Sequence, residues 1–194
     1  NSSGAPAPYV SRDEYGRASG EAVLKLIDKN IRARDVVTRK SLENAARVVG
    51  CTGGSTNAAL HLPAIAHEAG IDFDLFEVAD IMRDTPWFCD LRPGGRYVAR
   101  DLHQAGGVPV VLKELRKLGL LHEDCLTASG RTLSEELDEI RGEADGRVIY
   151  PGASPLTPTG GVVGLRGNLA PDGAIVKVAG MSPDEQVFTG PARV

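Results

Sequence analysis

A glycine-rich turn followed by small polar residues is the segment of this sequence with the clearest potential for chemistry. Residues 53–57 read Gly-Gly-Ser-Thr-Asn and stand directly before apolar residues at helical spacing, beginning at Ala58. The start of a helix offers unpaired backbone N–H groups and the positive end of the helix dipole, which together bind carboxylates or phosphates. The pattern therefore predicts an anion site, with an ordinary turn and helix N-cap as the alternative. It is not a P-loop, because the lysine and the glycine spacing of that motif are missing.

The cysteines are the next residues with chemical potential. Cys51, Cys89 and Cys125 lie far apart in the sequence, and none belongs to a Cys-x-x-Cys pair of the kind that binds zinc or an iron–sulfur cluster. Their spacing predicts reduced thiols in a cytosolic protein. The alternative is that cysteines remote in sequence meet in space after folding.

The histidines and a second glycine-rich segment are less informative. His61 and His67 do not share a helical face, and His103 precedes a glycine break, so packed or solvated histidines are expected. Residues 122–125 (His-Glu-Asp-Cys) crowd metal-ligand types into one loop, but adjacent residues rarely point at one ion. Residues 160–167 resemble a dinucleotide loop only superficially, and glycines in a closely packed strand are the better interpretation.

The composition excludes several classes of function. The 194 residues carry 22 Lys and Arg against 26 Asp and Glu, a formal charge of -4, which removes the usual electrostatic basis for binding nucleic acid or an anionic membrane surface. No apolar run approaches a membrane span, and the N-terminal residues lack the features of a signal peptide. We therefore expect a soluble, cytoplasmic protein in which the Asn1-Ser2-Ser3 glycosylation sequon is a chance match.

The elements that must position these residues follow from hydrophobic periodicity and capping signals. Ser11 with Glu14, and Thr132 with Glu135, have the form of capping boxes, and Gly50 is placed to end the second helix. The predicted helices span residues 12–29, 38–50, 75–83, 98–105 and 108–118, with others beginning at 58 and 132.

The chain changes character after a charged stretch at residues 138–145. Short β-branched runs at 148–150, 162–165 and 174–178 alternate with glycine and proline, and Pro171-Asp172-Gly173 has the composition of a hairpin turn. The sequence thus predicts helical material up to about residue 140, followed by the first strands of a β-domain. Because so few strands form a marginal sheet alone, we expect the natural protein to continue beyond Val194.

Four motifs in consistent order resemble the dihydroxy-acid and phosphogluconate dehydratase family. They are residues 53–58 (Gly-Gly-Ser-Thr-Asn-Ala), 101–109 (Asp-Leu-His-Gln-Ala-Gly-Gly-Val-Pro), 120–127 (Leu-Leu-His-Glu-Asp-Cys-Leu-Thr) and 166–174 (Arg-Gly-Asn-Leu-Ala-Pro-Asp-Gly-Ala). Within that family, residues 4–8, 34–39 and 165–170 are most similar to the dihydroxy-acid branch. The resemblance extends from about Gly4 to Val194.

The resemblance implies a hydro-lyase that converts 2,3-dihydroxy-3-methyl acids to 2-keto acids in valine and isoleucine biosynthesis. It further implies an iron–sulfur cluster (2Fe-2S or 4Fe-4S) as Lewis acid, a magnesium ion on the substrate and a serine base. In the family the cluster cysteines, most magnesium carboxylates and the catalytic serine lie outside the region that this chain resembles. We therefore expect no catalytic residue and no metal ligand here, and an inactive segment when isolated. A substrate-facing or cofactor-facing role is expected only for Ser55, Thr56 and Asn57.

The fold implied by the resemblance is α/β plus β. Residues 1–140 are expected to be the later half of a helix-rich, cluster-bearing N-terminal α/β domain, and residues 141–194 the first strands of a C-terminal β-barrel similar to the swivelling domain of aconitase-type enzymes. A homodimer acting on a small dihydroxy acid is expected. Two alternatives stay open: a sugar-acid dehydratase of the same family, acting on phosphogluconate or a pentonate, and a non-catalytic anion-binding module.

Overall fold

The chain is mostly helical and carries one antiparallel hairpin. The computed structural model describes residues 4–191. Within that range the elements are α1 (Ser11–Asp28), α2 (Ala33–Val36), α3 (Arg39–Thr52), α4 (Ala58–Ala69), α5 (Leu75–Arg83), α6 (Ala99–Gln104), α7 (Gly107–Lys117), α8 (Leu133–Asp138), β1 (Val162–Gly167), β2 (Ala170–Lys177) and a short 3-10 helix, Pro183–Glu185. The sequon Asn1-Ser2-Ser3 lies outside the described residues.

Helix α3 is shared by two hydrophobic cores. Its N-terminal half places Leu42 and Ala46 in a cluster with α4 and α5, completed by Leu62, Ala66, Phe73, Val78, Met82 and Val162. Its C-terminal end places Cys51 in a second cluster with α7, completed by Phe88, Cys89, Val110, Val111, Leu115, Val148 and Ile149. Both clusters therefore draw on residues beyond 140.

Side chains cap the helix starts predicted at Thr38, Asp74 and Thr132, whereas the start predicted at Ser11 has no such cap. Thr132 Oγ1 accepts from Glu135 N at 3.3 Å while Thr132 N donates to Glu135 Oε2 at 2.8 Å, which confirms that capping box. Asp74 caps α5 by accepting from two amides, those of Phe76 and Glu77. The box predicted at Ser11 is wrong: Ser11 is the first residue of α1, and the helix begins after Val10 without a side-chain cap.

The second predicted helix continues past Gly50. Helix α3 ends at Thr52, and Gly53 adopts the left-handed conformation (φ 57°) that terminates it. Gly50 is inside the helix because α5 packs closely there: a Cβ at this position would lie 2.9 Å from the Met82 carbonyl oxygen. A glycine is needed at position 50 because two helices are in close contact there, and it does not end the helix. The prediction that the second helix ends at Gly50 is therefore wrong.

The hairpin turns at a different place from the one that composition indicated. Strands β1 and β2 pair antiparallel, and Gly167 opposite Ala170 closes the ladder, so the turn lies at residues 168–169. The predicted turn residues Pro171, Asp172 and Gly173 are within β2. Gly173 keeps a positive φ of 97° and lies against the Phe76 ring of α5, which is why a glycine is required inside this strand.

The architecture agrees with the predicted fold class at the coarse level of helices followed by strands. Among residues 4–191 the hairpin is the one sheet found, and the β-branched run at 148–150 makes an isolated bridge, Cys89 to Ile149, instead of a strand. The α/β domain, the barrel and the division between residues 140 and 141 therefore stay predictions. No helix in the described range is both long and apolar enough to cross a membrane.

Candidate functional site

The polar turn predicted to bind an anion joins α3 to α4 as expected. Ser55 Oγ accepts from Asn57 N at 3.2 Å, so the serine closes the turn on itself. The Ala58 and Ala59 amides donate to the Ser55 and Thr56 carbonyls at 3.1 and 3.0 Å. The expectation of several free amides is therefore wrong for these positions, because tight turn bonds already use them. Of the turn amides at residues 53–57, those of Ser55 and Thr56 have no acceptor among the described residues.

An open cleft of about 570 Å³ lies against this turn. It is lined by Val48, Thr52, Gly53, Gly54, Ser55, Thr56, Leu91, Arg92, Pro93, Leu102, Val108 and Lys177. Ser55 and Thr56 of the predicted site residues belong to it. Asn57, the third, is exposed and stands outside the lining.

Two cations from distant parts of the chain face this cleft. Arg92 follows the bridge at Leu91, and its amide donates to the Tyr97 carbonyl at 2.8 Å. Lys177 ends β2, where it pairs with the fully buried Val162. Among residues 4–191 neither side chain forms an ion pair with a carboxylate, so both charges are available to an anion.

The base of the hairpin brings Lys177 to the turn. The Gly161 amide donates to the Gly50 carbonyl at 3.3 Å, and the Val178 amide donates to the Gly161 carbonyl at 2.9 Å. A Cβ at Gly161 would lie 2.9 Å from Gly53 Cα, so the two backbones meet without room for a side chain. This close approach confirms the interpretation that Gly161, within residues 160–167, is a glycine because of close packing and not as part of a dinucleotide loop.

Burial changes the acid–base behaviour of the lysine. Lys177 is half-buried, and the loss of hydration lowers the pKa of its ammonium group below the usual 10.5. A partly desolvated cation binds an anion more strongly than a fully hydrated one, because less water must be displaced from it. Apolar side chains also line the cleft, namely Val48, Leu91, Leu102 and Val108.

The cysteines do not converge into one site. Cys51 and Cys89 meet in the second core cluster, whereas Cys125 lies beside Asn44, with its sulfur 3.7 Å from the amide nitrogen. In residues 4–191 no group of three or more His, Cys, Asp or Glu side chains is arranged to hold a metal ion. That the ligands of an iron–sulfur cluster and of a magnesium ion lie outside these residues stays a prediction.

The loop at residues 122–125 (His-Glu-Asp-Cys) is attached to α3 by polar contacts. His122 Nε2 lies 2.6 Å from Glu43 Oε2, and Lys40 contacts Asp124. Glu43 keeps a lowered pKa because its hydrogen bonds from Arg39 and His122 outweigh the opposing effect of burial. These contacts thus attach the loop to α3, and the loop does not face the cleft.

Sequence reasoning missed both cations of the cleft. Lys177 was visible only as the polar end of a β-branched run, and Arg92 only as the residue before a proline turn. Neither position has a local pattern that indicates a ligand.

Comparison with known proteins relates the whole chain to one family. The N-terminal model of the dihydroxy-acid/6-phosphogluconate dehydratases matches residues 1–136, and the C-terminal model matches residues 147–194. A protein of Dinoroseobacter shibae named dihydroxy-acid dehydratase is 72% identical over 194 residues, which is 100% of this chain and 34% of that protein.

Other relatives with the same name show the same coverage. The protein of Parvibaculum lavamentivorans is 65% identical over 192 residues, 99% of this chain and 33% of its own length. The protein of Pelagibacter ubique is 56% identical over 192 residues, with the same two shares, 99% and 33%. The chain therefore spans about a third of the length of the curated relatives it matches.

Proposed function

This chain belongs to the dihydroxy-acid/6-phosphogluconate dehydratase family, and on that premise we propose that the protein containing it is a dihydroxy-acid dehydratase. The reaction is the removal of water from a 2,3-dihydroxy-3-methyl acid to give a 2-keto acid, a step of valine and isoleucine biosynthesis. The observation that carries the proposal is the 72% identity to a protein of that name along the entire chain.

Several further properties of the protein belong to the same proposal. They are an iron–sulfur cluster and a magnesium ion, with ligands outside these residues, a homodimeric assembly and a cytoplasmic location. The division into an N-terminal domain up to residue 140 and a C-terminal β-barrel from residue 141 is proposed with them. All of these depend on the family resemblance.

The contribution proposed for this chain is to bind the carboxylate of the substrate. Lys177 and Arg92 supply positive charge without competing carboxylates, and Ser55 and Thr56 add hydroxyl and amide donors to the same cleft. The apolar wall at Leu102 and Val108 suits a short branched alkyl group. This favours the branched dihydroxy acid over a sugar acid, whose chain carries a hydroxyl on each carbon and would leave those groups without partners.

The experiment is steady-state kinetics of the full-length protein with a branched dihydroxy acid and with 6-phosphogluconate, for the wild type and for Lys177→Met. Loss of a charge-assisted contact of about 2 kcal/mol should raise KM for the dihydroxy acid roughly 10- to 50-fold, with a smaller effect on kcat. Lys40→Met, which removes an exposed lysine remote from the cleft, is the matched control.

The pH dependence gives a second readout of the same site. A lysine binds an anion only while protonated, so KM should rise with pH as the lowered pKa of Lys177 is passed, earlier than for an exposed lysine. Lys177→Arg should move this rise to higher pH because a guanidinium stays protonated.

Turnover of 6-phosphogluconate alone would support the sugar-acid alternative, and saturable carboxylate binding without turnover would support the anion-binding module. An unchanged KM in Lys177→Met would remove the cleft from the proposal while leaving the family activity intact.

A further inference from the structure

Two cysteines meet inside the second core cluster although they are remote in sequence. Cys51 lies at the end of α3. Cys89 lies two residues after Trp87 and forms the isolated bridge with Ile149. Both side chains are 0% exposed. The Cys89 amide donates to the Cys51 carbonyl at 3.1 Å, and both side chains pack in the same core cluster. This backbone contact holds the two Cα atoms within the span that a disulfide bridges.

We propose that Cys51 and Cys89 form a reversible disulfide site that responds to peroxide. The thiolate of one cysteine attacks an oxygen of hydrogen peroxide, the O–O bond breaks, and a sulfenic acid forms with release of hydroxide. The second thiol then attacks that sulfur, and the S–O bond breaks with loss of water. The two cysteines lose two electrons and two protons, and one peroxide becomes two water molecules.

The surroundings make this site slow to react. Burial, together with the neighbouring thiol, raises the pKa of Cys51, so little thiolate exists and casual oxidation is slow. Once one sulfur is oxidised, its partner is already in contact and outcompetes a second peroxide. Cys125 cannot serve as that partner, because it lies in another part of the molecule beside Asn44.

The bond would connect two segments that line the cleft. Cys51 immediately precedes Thr52 and Gly53, and Cys89 is two residues before Leu91. A disulfide between them would fix these two segments to each other.

The test is thiol mapping of the full-length protein. The folded protein is treated with hydrogen peroxide, its free thiols are alkylated in denaturant, and it is digested without reductant for mass spectrometry. We expect one linked peptide pair that joins Cys51 to Cys89, lighter by two hydrogens than the separate thiol peptides and released by dithiothreitol. Cys125→Ser should give the same linked pair.

A variant tests whether the partner thiol is required. In Cys51→Ala, whose fold is checked by circular dichroism, the Cys89 sulfenic acid should persist and be trapped by dimedone. The proposal is overturned if Cys51 and Cys89 of the wild type are both recovered alkylated after other thiols of the protein have reacted. Separate sulfinic acids, or either cysteine linked to a different one, would overturn it equally.

Discussion

Asn44 shows how a single buried residue can determine the position of a loop. Its side chain is only 7% exposed. Its amide nitrogen donates to the His122 carbonyl at 2.9 Å, and its amide oxygen accepts from the His122 N–H at 2.9 Å. The side chain thus imitates the pairing of a neighbouring strand and attaches the loop at residues 122–125 to α3.

Replacement of Asn44 by alanine should therefore be costly. Two backbone groups of His122 would lose their partners in a half-buried place, so Asn44→Ala should lower the free energy of unfolding by about 2 to 3 kcal/mol. Urea denaturation followed by circular dichroism measures this loss. Lys40→Ala, which removes an exposed ion pair to the same loop, should lower the free energy of unfolding much less. Equal losses would mean that the amide contacts of Asn44 stabilise the fold no more than an exposed ion pair does.

A second residue-scale prediction concerns acid stability. Glu143 accepts hydrogen bonds from Lys113 at 2.6 Å and Lys117 at 2.7 Å, which lower its pKa from 4.5 to about 2. A carboxylate with a lowered folded-state pKa stabilises the fold above its unfolded pKa, and that stabilisation is lost as the pH falls through the folded value.

Glu143→Gln should therefore be less stable than the wild type above about pH 4.5, with a difference that shrinks toward about pH 2. Guanidinium denaturation at a series of pH values between 7 and 3 measures the difference. Glu68→Gln on the exposed part of α4 is the charge-matched control and should not reproduce the profile. A difference that is independent of pH would contradict the role of the carboxylate charge.

At the scale of elements, a backbone contact fixes the start of the hairpin against α5. Gly160 is buried just before β1, and its amide donates to the Arg83 carbonyl at 3.1 Å. A Cβ at Gly160 would collide with the Met82 carbonyl oxygen. Backbone cannot yield as a flexible side chain does, so this position tolerates glycine alone.

Gly160→Ala should accordingly destabilise the protein by roughly 3 kcal/mol, because α5 and the hairpin must separate. The matched control is Gly16→Ala, at an exposed position within α1 with no atom near the added methyl group. That substitution should stabilise the protein by about 1 kcal/mol, since alanine is the better helix former. Thermal unfolding of both variants measures the contrast, and similar melting temperatures would refute the packing argument.

At the scale of the whole molecule, helices and strands share their cores. Val148 and Ile149 belong to the cluster around α7, and Val162 belongs to the cluster around α5. The predicted division at residue 140 thus does not coincide with an end of hydrophobic packing. By contrast, none of the residues of α1 is buried, so that helix contributes little to either core.

A truncation should reveal this dependence. A chain that stops at Arg141 loses Val148, Ile149 and Val162 and should melt at a markedly lower temperature than the 194-residue chain, or without cooperativity. A chain that stops at Met181 loses, among the described residues, exposed side chains such as Val187 and Phe188, and should keep its melting temperature. Calorimetry of the three chains measures the effect; an unchanged transition in the shorter one would show that the helical part folds independently.

Much of the local structure followed from the sequence because its causes are local. The Thr132 capping box, the helix after Asp74 and the turn at residues 53–57 each depend on neighbours within a few positions. Two of the predictions that failed share one cause. Gly50 and Gly173 have the composition of helix ends and turns, but each is glycine because a distant element, α5, packs against it.

The sequence by itself determined where most helices begin, which residues form the polar turn and, through four ordered motifs, the family. Only the tertiary structure decided that Lys177 and Arg92 face that turn and that Cys51 lies against Cys89. These pairs are far apart along the chain, and no periodicity links them. They meet because burial of two apolar clusters brings the ends of α3 and β2 and the segment after Trp87 together, and that outcome depends on the packing of the whole chain.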